Sequence, residues 1–200
     1  MTHPHRPALH ADLTAMIDAR GGDVVQSRSE IASATAALLV RTGREGKPDE
    51  RFVDLAEQIG LDTLAALWSH ADPVSLPGAL WALYLLRQWC RTSGDEVTRL
   101  WRAGEAFAAP DAVVAGVGDF ASVEAVQQMT DAVLTGAYGR DFDVALERAA
   151  GFFRVVAAGR RELAAEDDGG EAERLLAERN DRAAADLSAA AALWRRGALT

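Results

Sequence analysis

The chain has 200 residues, of which 49% are hydrophobic and 26% charged, with a formal net charge of −9. That length suits one domain, or one with an appendage, and buries a substantial core. The acidic balance weighs against nucleic acid or an anionic membrane as partner, because either requires a positive face.

Alanine is over-used and Lys47 is the only lysine, the other basic residues being arginines. Alanine and arginine favour helices, and the β-branched and aromatic alternation of strands is scarce, so the expected fold is all-α. Cys90 is the single cysteine and has no partner within the chain, which suits a reducing compartment. The opening Met-Thr-His-Pro-His-Arg-Pro lacks the apolar stretch of a signal peptide, and no uncharged run approaches the ~18 residues that suggest a membrane span. A cytoplasmic protein is expected.

Residues 1–7 read as a tail, and Leu9, Leu13, Met16 and Ile17 mark a short helix ended by Gly21-Gly22. Ser27-Arg28-Ser29-Glu30 is a capping box opening a helix whose inner stripe is expected to be Ile31, Ala34 and Leu38. Pro48 suits the first turn of the next helix, with Phe52, Leu55, Ala56 and Ile59 inside and Gly60 as its stop. Asp62 is placed to cap a helix through Leu64, Leu67 and Trp68. Ser75 and Pro77 open the central helix, which carries no charge from Ala79 to Leu86 and is therefore expected to be enclosed on all sides, with Trp81 and Leu85 in the core.

Ser93-Gly94-Asp95-Glu96 is a second capping box, followed by Val97, Leu100, Trp101, Gly104, Phe107 and Ala108 at helical spacing. Pro110-Asp111 starts a brief helix, and Val123, Val126, Met129, Val133 and Leu134 define the next. A long helix follows, with Phe142, Leu146, Ala149, Phe153, Val156, Arg160 and Leu163 on one stripe and Phe152 and Val155 broadening it. Gly151 and Gly159 inside it each cost about 1 kcal/mol against alanine, for which a close helix crossing is the simplest compensation. The expected architecture is a helical domain over residues 8–165, a bundle around the buried central helix. An acidic Gly-Gly hinge follows at 166–170, then a long C-terminal helix within 171–200. That helix has a weak seam of Leu176, Asn180, Ala183, Leu187, Ala190 and Trp194, so it either packs closely along the body or pairs with another chain, and its small apolar area predicts that it is the least protected helix.

No motif has catalytic or ligand-binding quality. Gly116-Val117-Gly118-Asp119-Phe120-Ala121 matches the loose dinucleotide pattern, but no βαβ unit surrounds it, so two glycines ending a helix before the Ser122 cap explain it better. His3, His5 and His10 crowd a terminal tail that offers no fixed geometry for a metal. Asp54 and Glu57 share a helix face without a second carboxylate pair opposite them. No metal or cofactor is therefore expected. The remaining candidates are His70 with Asp72, a pairing that orients a general base, and a wall of Trp81, Tyr84, Arg87 and Gln88 along the central helix. Aromatic walls of this kind are more often core than pocket. Within a pocket, Arg87 would supply bidentate capture of an anion.

The phrases Thr42-Gly43-Arg44, Lys47-Pro48-Asp49-Glu50-Arg51-Phe52, Leu76-Pro77-Gly78-Ala79-Leu80-Trp81 and Ala145-Leu146-Glu147-Arg148-Ala149-Ala150 together resemble a family of all-helical proteins restricted to actinobacteria, with unassigned function. The resemblance spans about residues 31–163. It implies a helical fold and a cytoplasmic setting and carries no catalytic residues to transfer. The expected function is non-enzymatic, through a protein partner or a homo-oligomer, by way of the C-terminal helix or an exposed groove. The alternative is a small-molecule binder or enzyme with the aromatic and arginine-lined pocket.

Overall fold

The computed structural model describes residues 28–41, 61–115, 122–137, 141–166 and 170–200. The expectations for His3, His5, His10, Asp54, Glu57 and the Gly116–Ala121 pattern lie outside these residues. Within them the protein is all-α, with eight helices and no strand. In chain order they are α1 (28–41), α2 (Leu61–Trp68), α3 (Leu76–Thr92), α4 (Gly94–Gly104), α5 (Ala109–Ala115), α6 (Val123–Ala137), α7 (Phe142–Glu166) and α8 (Glu171–Arg195). The two longest, α7 and α8, pack along each other, and α4, α5 and α6 lie against α7, while α3 rests on α6.

The stripe read for α7 is the one it buries. Phe142, Leu146, Ala149, Phe153, Val156 and Arg160 are all in the interior, and Phe152 and Val155 on the flank are fully enclosed. The two internal glycines each mark a close crossing. A Cβ at Gly151 would stand 2.7 Å from the Asp111 carbonyl oxygen of α5. At Gly159 it would overlap the carbonyl oxygen of Leu100 in α4, and at Gly104 the carbonyl oxygen of Val155. Helices α4 and α7 therefore cross backbone on backbone, through a glycine contributed by each.

Three local expectations are corrected. In α1 the buried residues are Ala32, Ala36 and Val40, whereas Ile31 and Leu38 are 51% and 52% exposed. The small residues fit the closer approach to the core, and periodicity judged on large side chains alone is displaced by a position. Ser93 makes no side-chain cap bond to α4, so the second capping box does not form. Phe107 is exposed because α4 ends at Gly104 and a turn removes it from the helical register.

Helix α8 is firmly seated rather than loosely docked. Its most buried residues are Leu187 and four alanines, Ala177, Ala184, Ala190 and Ala191, whose small side chains let it lie close to α7. A polar ladder runs beside that seam. Arg154 on α7 donates to Ser188 at 2.7 Å and reaches Asp111 on α5 at 3.1 Å. Ser188 donates to Glu147 at 3.0 Å, and Arg195 bonds both Asp143 and Glu147. Arg161 pairs with Asp181. Trp194 packs edge-on against Phe142 at 4.7 Å between centroids. Past the helix, Leu199 is buried and the Leu76 N–H donates to the Thr200 carbonyl at 2.9 Å, tying the end of the chain to the start of α3.

Two stability measurements check this packing. Gly159→Ala gains about 1 kcal/mol of helix propensity but forces apart two backbones. The net expectation is a loss of about 2 kcal/mol, seen as a melting point lower by ~4–8 °C. Gly136→Ala, whose new Cβ meets Ala145 at an ordinary 3.6 Å, is expected to be neutral or stabilising. The second concerns Cys90, whose burial pushes the thiol up from 9.0 to about 12. Between those values the folded state holds a proton that the unfolded state has lost, so this group's effect is to lower stability as pH rises from about 9 toward 12. The stability difference between the wild type and Cys90→Ala, followed by urea denaturation, should shift in favour of the variant over that window.

Candidate functional site

The turn between α2 and α3 is built from its own polar groups. Asp72 accepts the Val74 N–H at 2.8 Å through its carboxylate, and its carbonyl accepts from the Ser75 hydroxyl at 2.6 Å. Ser75, with extended backbone, then caps α3 by accepting the Gly78 N–H at 3.2 Å. Pro77 falls in the first turn, where its missing N–H removes no helical bond. Gly78 lies directly on the Asp72 carbonyl, with no space for a side chain between them. The turn is thereby folded down against the start of α3.

Beside it runs a groove of about 200 Å³, lined by Pro73 and Ala71 from the turn, Trp81, Ala82 and Leu85 from α3, and Ala183, Asp186 and Leu187 from α8, with Ser69 at its edge. Its surface is mainly apolar, and Asp186 is the charged side chain on its wall. Leu85 is 43% exposed and Trp81 half-buried, so the central helix is not enclosed on all sides. Helix α8 follows α7 and meets α3 only along part of its length, which leaves the Trp81–Leu85 face partly uncovered.

The residues expected along α3 do not converge. Trp81 lines the groove. Tyr84 points into the core and packs at 6.0 Å, centroid to centroid, on Trp68. Arg87 is 4% exposed and its Nε bonds Asp131 of α6 at 2.5 Å, a structural tie between two helices rather than an anion receptor. Arg91 approaches the same carboxylate at 3.7 Å. Gln88 is exposed outside the groove. Nor do His70 and Asp72 form a bonded pair, since the Asp72 carboxylate is used by the turn and His70 Nδ1 lies 3.0 Å from the Ser69 hydroxyl. His70 belongs to a separate cavity of about 340 Å³ between α1 and α2, shared with Arg28, Ser29, Ala32, Ala66 and Leu67.

The groove can therefore offer apolar contact and one carboxylate. Among the described residues no three His, Cys, Asp or Glu side chains are grouped so as to hold a metal. Of the residues that line the groove, sequence reading assigned only Trp81 to a site; it expected Leu85 in the core and gave no role there to Pro73, Ala183, Asp186 or Leu187. Ala183 and Leu187 were visible as part of the α8 seam; what no local pattern states is that this seam faces α3.

The other buried cation among the described residues is Arg160, 5% exposed, which bonds Glu173 of α8 at 2.7 Å and Glu96 of α4 at 3.1 Å and stacks 5.6 Å over the Trp89 ring of α3. Arg87 and Arg160 are thus part of the architecture. Asp131→Asn removes the carboxylate that the buried Arg87 Nε bonds and is expected to cost about 3 kcal/mol in denaturant unfolding, the lower end for a broken buried pair because Asp131 is partly hydrated. Were Arg87 a ligand-binding group with a dispensable partner, stability would be almost unchanged.

Comparison with known proteins gives no match: no family model fits the chain, and no characterised protein or solved structure is similar to it.

Proposed function

We propose that this protein acts by binding another protein, whose apolar side chains enter the groove between α3 and α8. The observation that carries the reading is Leu85, large, apolar and 43% exposed on the groove wall at the middle of α3, next to the half-buried Trp81. A site of about 200 Å³ is smaller than the roughly 300–1,000 Å³ clefts that enclose small molecules, and a shallow trough is the usual receptor for a side chain presented by a helix or peptide. Tryptophan at the centre of such a surface is a frequent energetic anchor.

Charge selects the kind of partner. Asp186 on the wall, on a chain of net charge −9, favours a segment carrying basic residues beside its apolar ones. The same net charge opposes two copies meeting through this face. A cytoplasmic setting is part of the proposal; among the described residues no helix is long and apolar enough to cross a membrane. The resemblance to the actinobacterial helical family adds no residue to this reading.

A photo-crosslinking amino acid placed at Leu85 in the full chain, expressed in its native cell, should give one discrete adduct with another protein. That adduct should be lost on adding Asp186→Arg, and the same probe at the exposed Arg179 should give none. With the adduct's partner purified, Leu85→Ser should weaken binding by tenfold or more while leaving the melting point within about 3 °C, as expected for a partly exposed site. No adduct, or only adducts with a second copy of the chain, overturns the reading. A saturable metabolite-induced rise in melting temperature that Leu85→Ser abolishes would make the groove a small-molecule site instead.

A further inference from the structure

The cavity of about 340 Å³ between α1 and α2 differs from the groove beside α3 in both size and charge. Its volume is within the range of clefts that hold small molecules. We propose that it binds a small organic acid, a carboxylate head on an apolar body, with the head at Arg28, Ser29 and His70.

Its walls are fixed by the fold. Trp68 of α2 donates from Nε1 to the Thr35 hydroxyl of α1 at 3.3 Å, and the same ring is buried against Tyr84 of α3. Ala32, one turn before Thr35 and 3% exposed, lines the cavity from α1. The half-buried Leu67 and the exposed Ala66 line it from α2, so that the surface between the two helices is mainly apolar.

The polar groups are of one kind. Arg28, Ser29 and His70 are all exposed, so a ligand reaches them from solvent. Each is a hydrogen-bond donor, and among the described residues no carboxylate lines this cavity. Arg28 makes no ion pair among those residues either. That sets it apart in a chain of net charge −9, where Arg87, Arg154, Arg160, Arg161 and Arg195 are each matched to an acid. His70 Nδ1 lies 3.0 Å from the Ser69 hydroxyl. With that hydroxyl donating, the neutral ring carries its proton on Nε2, and the protonated ring carries one there as well, so Nε2 donates in both states.

A carboxylate at this rim would accept from the Arg28 guanidinium and from Nε2 of His70, while its apolar body lay on Ala32, Leu67 and Ala66. The planar guanidinium fits the two oxygens of a carboxylate, and one full cation suits a single negative charge. The apolar lining favours such an acid over a bare anion, which has no surface to bury there.

The test is calorimetric titration of the full-length protein at constant ionic strength with three probes. Benzoate carries ring and charge, benzyl alcohol the ring without the charge, and acetate the charge without the ring. Benzoate is expected to saturate, and the other two to bind about tenfold more weakly or worse. Arg28→Gln should weaken benzoate by about tenfold, the scale of one hydrogen bond to a charged group. His70→Ala should weaken it several-fold. Ala66→Leu, which fills the cavity from an exposed helix position, should abolish binding while leaving the melting point within about 3 °C. Arg182→Gln, at an exposed position on α8, should leave it unchanged. Benzoate failing to saturate overturns the proposal, as does benzyl alcohol binding as tightly as benzoate. Benzoate binding that either Arg28→Gln or Ala66→Leu retains in full also overturns it, marking an adventitious additive only.

Discussion

The contact of α4 with α7 through Gly104 and Gly159 sets the geometry of the rest. With no side chain from either helix at the crossing, the two backbones touch, and the residues beside the crossing are placed by it. Arg160 is the next residue after Gly159, and its guanidinium comes to lie between Glu96 of α4 and Glu173 of α8, over the Trp89 ring of α3. Four helices are tied by one side chain. Taking that charge out of water is expensive, and its two carboxylate partners keep partial hydration. Its contribution is therefore to fix relative position more than to add stability. The cation–aromatic contact also covers part of the half-buried Trp89 ring.

The same preference for small residues at contacts explains α8. An alanine seam buries little area per residue, and area alone predicts weak docking. Alanines also let helices approach closely over many turns, so dispersion contacts accumulate along the whole length, and they lose no side-chain entropy on burial. The ladder of Arg154, Ser188, Glu147 and Arg195 then fixes the register of α8 on α7. Most of its members are partly exposed, and isolated pairs of that kind add little; a connected set that crosses from α5 through α7 to α8 specifies one alignment among several that alanines alone would tolerate.

Much of the fold was legible because helix periodicity and caps are local properties. The stripe from Phe142 to Arg160, the Ser75 cap with Pro77, and the compensation of Gly151 and Gly159 by close crossings all follow from residues within one helix or from the energetic cost of a glycine there. What failed depended on neighbours. Ala32, Ala36 and Val40 carry too little hydrophobicity to outweigh Ile31 and Leu38 in a reading of α1, yet contact distance favours them. Tyr84 and Arg87 project at other angles around α3 than Trp81, into the core and toward Asp131, while Gln88 shares the face of Trp81 but lies two turns further on, in solvent beyond the groove. The pairing of Arg87 with a residue 44 positions away has no local signal at all. The same holds for Asp186, whose place on the groove wall is set by how α8 lies along α7.

The outer face of α3 shows how far packing accounts for the sequence. Trp81, Leu85 and Trp89 recur there at intervals of one turn, and each is treated differently. Trp81 is half-covered by the turn at Pro73 and by Ala183 and Leu187. Trp89 is covered by the guanidinium of Arg160. Leu85 lies between them with neither, and its exposure gains the fold little that a glutamine or lysine stem would not also supply. Single exposed leucines are common and carry no argument by themselves. This one borders a concave surface closed at one end by a hydrogen-bonded turn and bearing a carboxylate at Asp186. The folding requirement on α3 is met by Leu80, Leu83, Tyr84 and Leu86 on its inner side. Packing thus leaves the choice of an apolar residue at position 85 unaccounted for, and the proposed docking of a partner side chain in the groove would supply the reason.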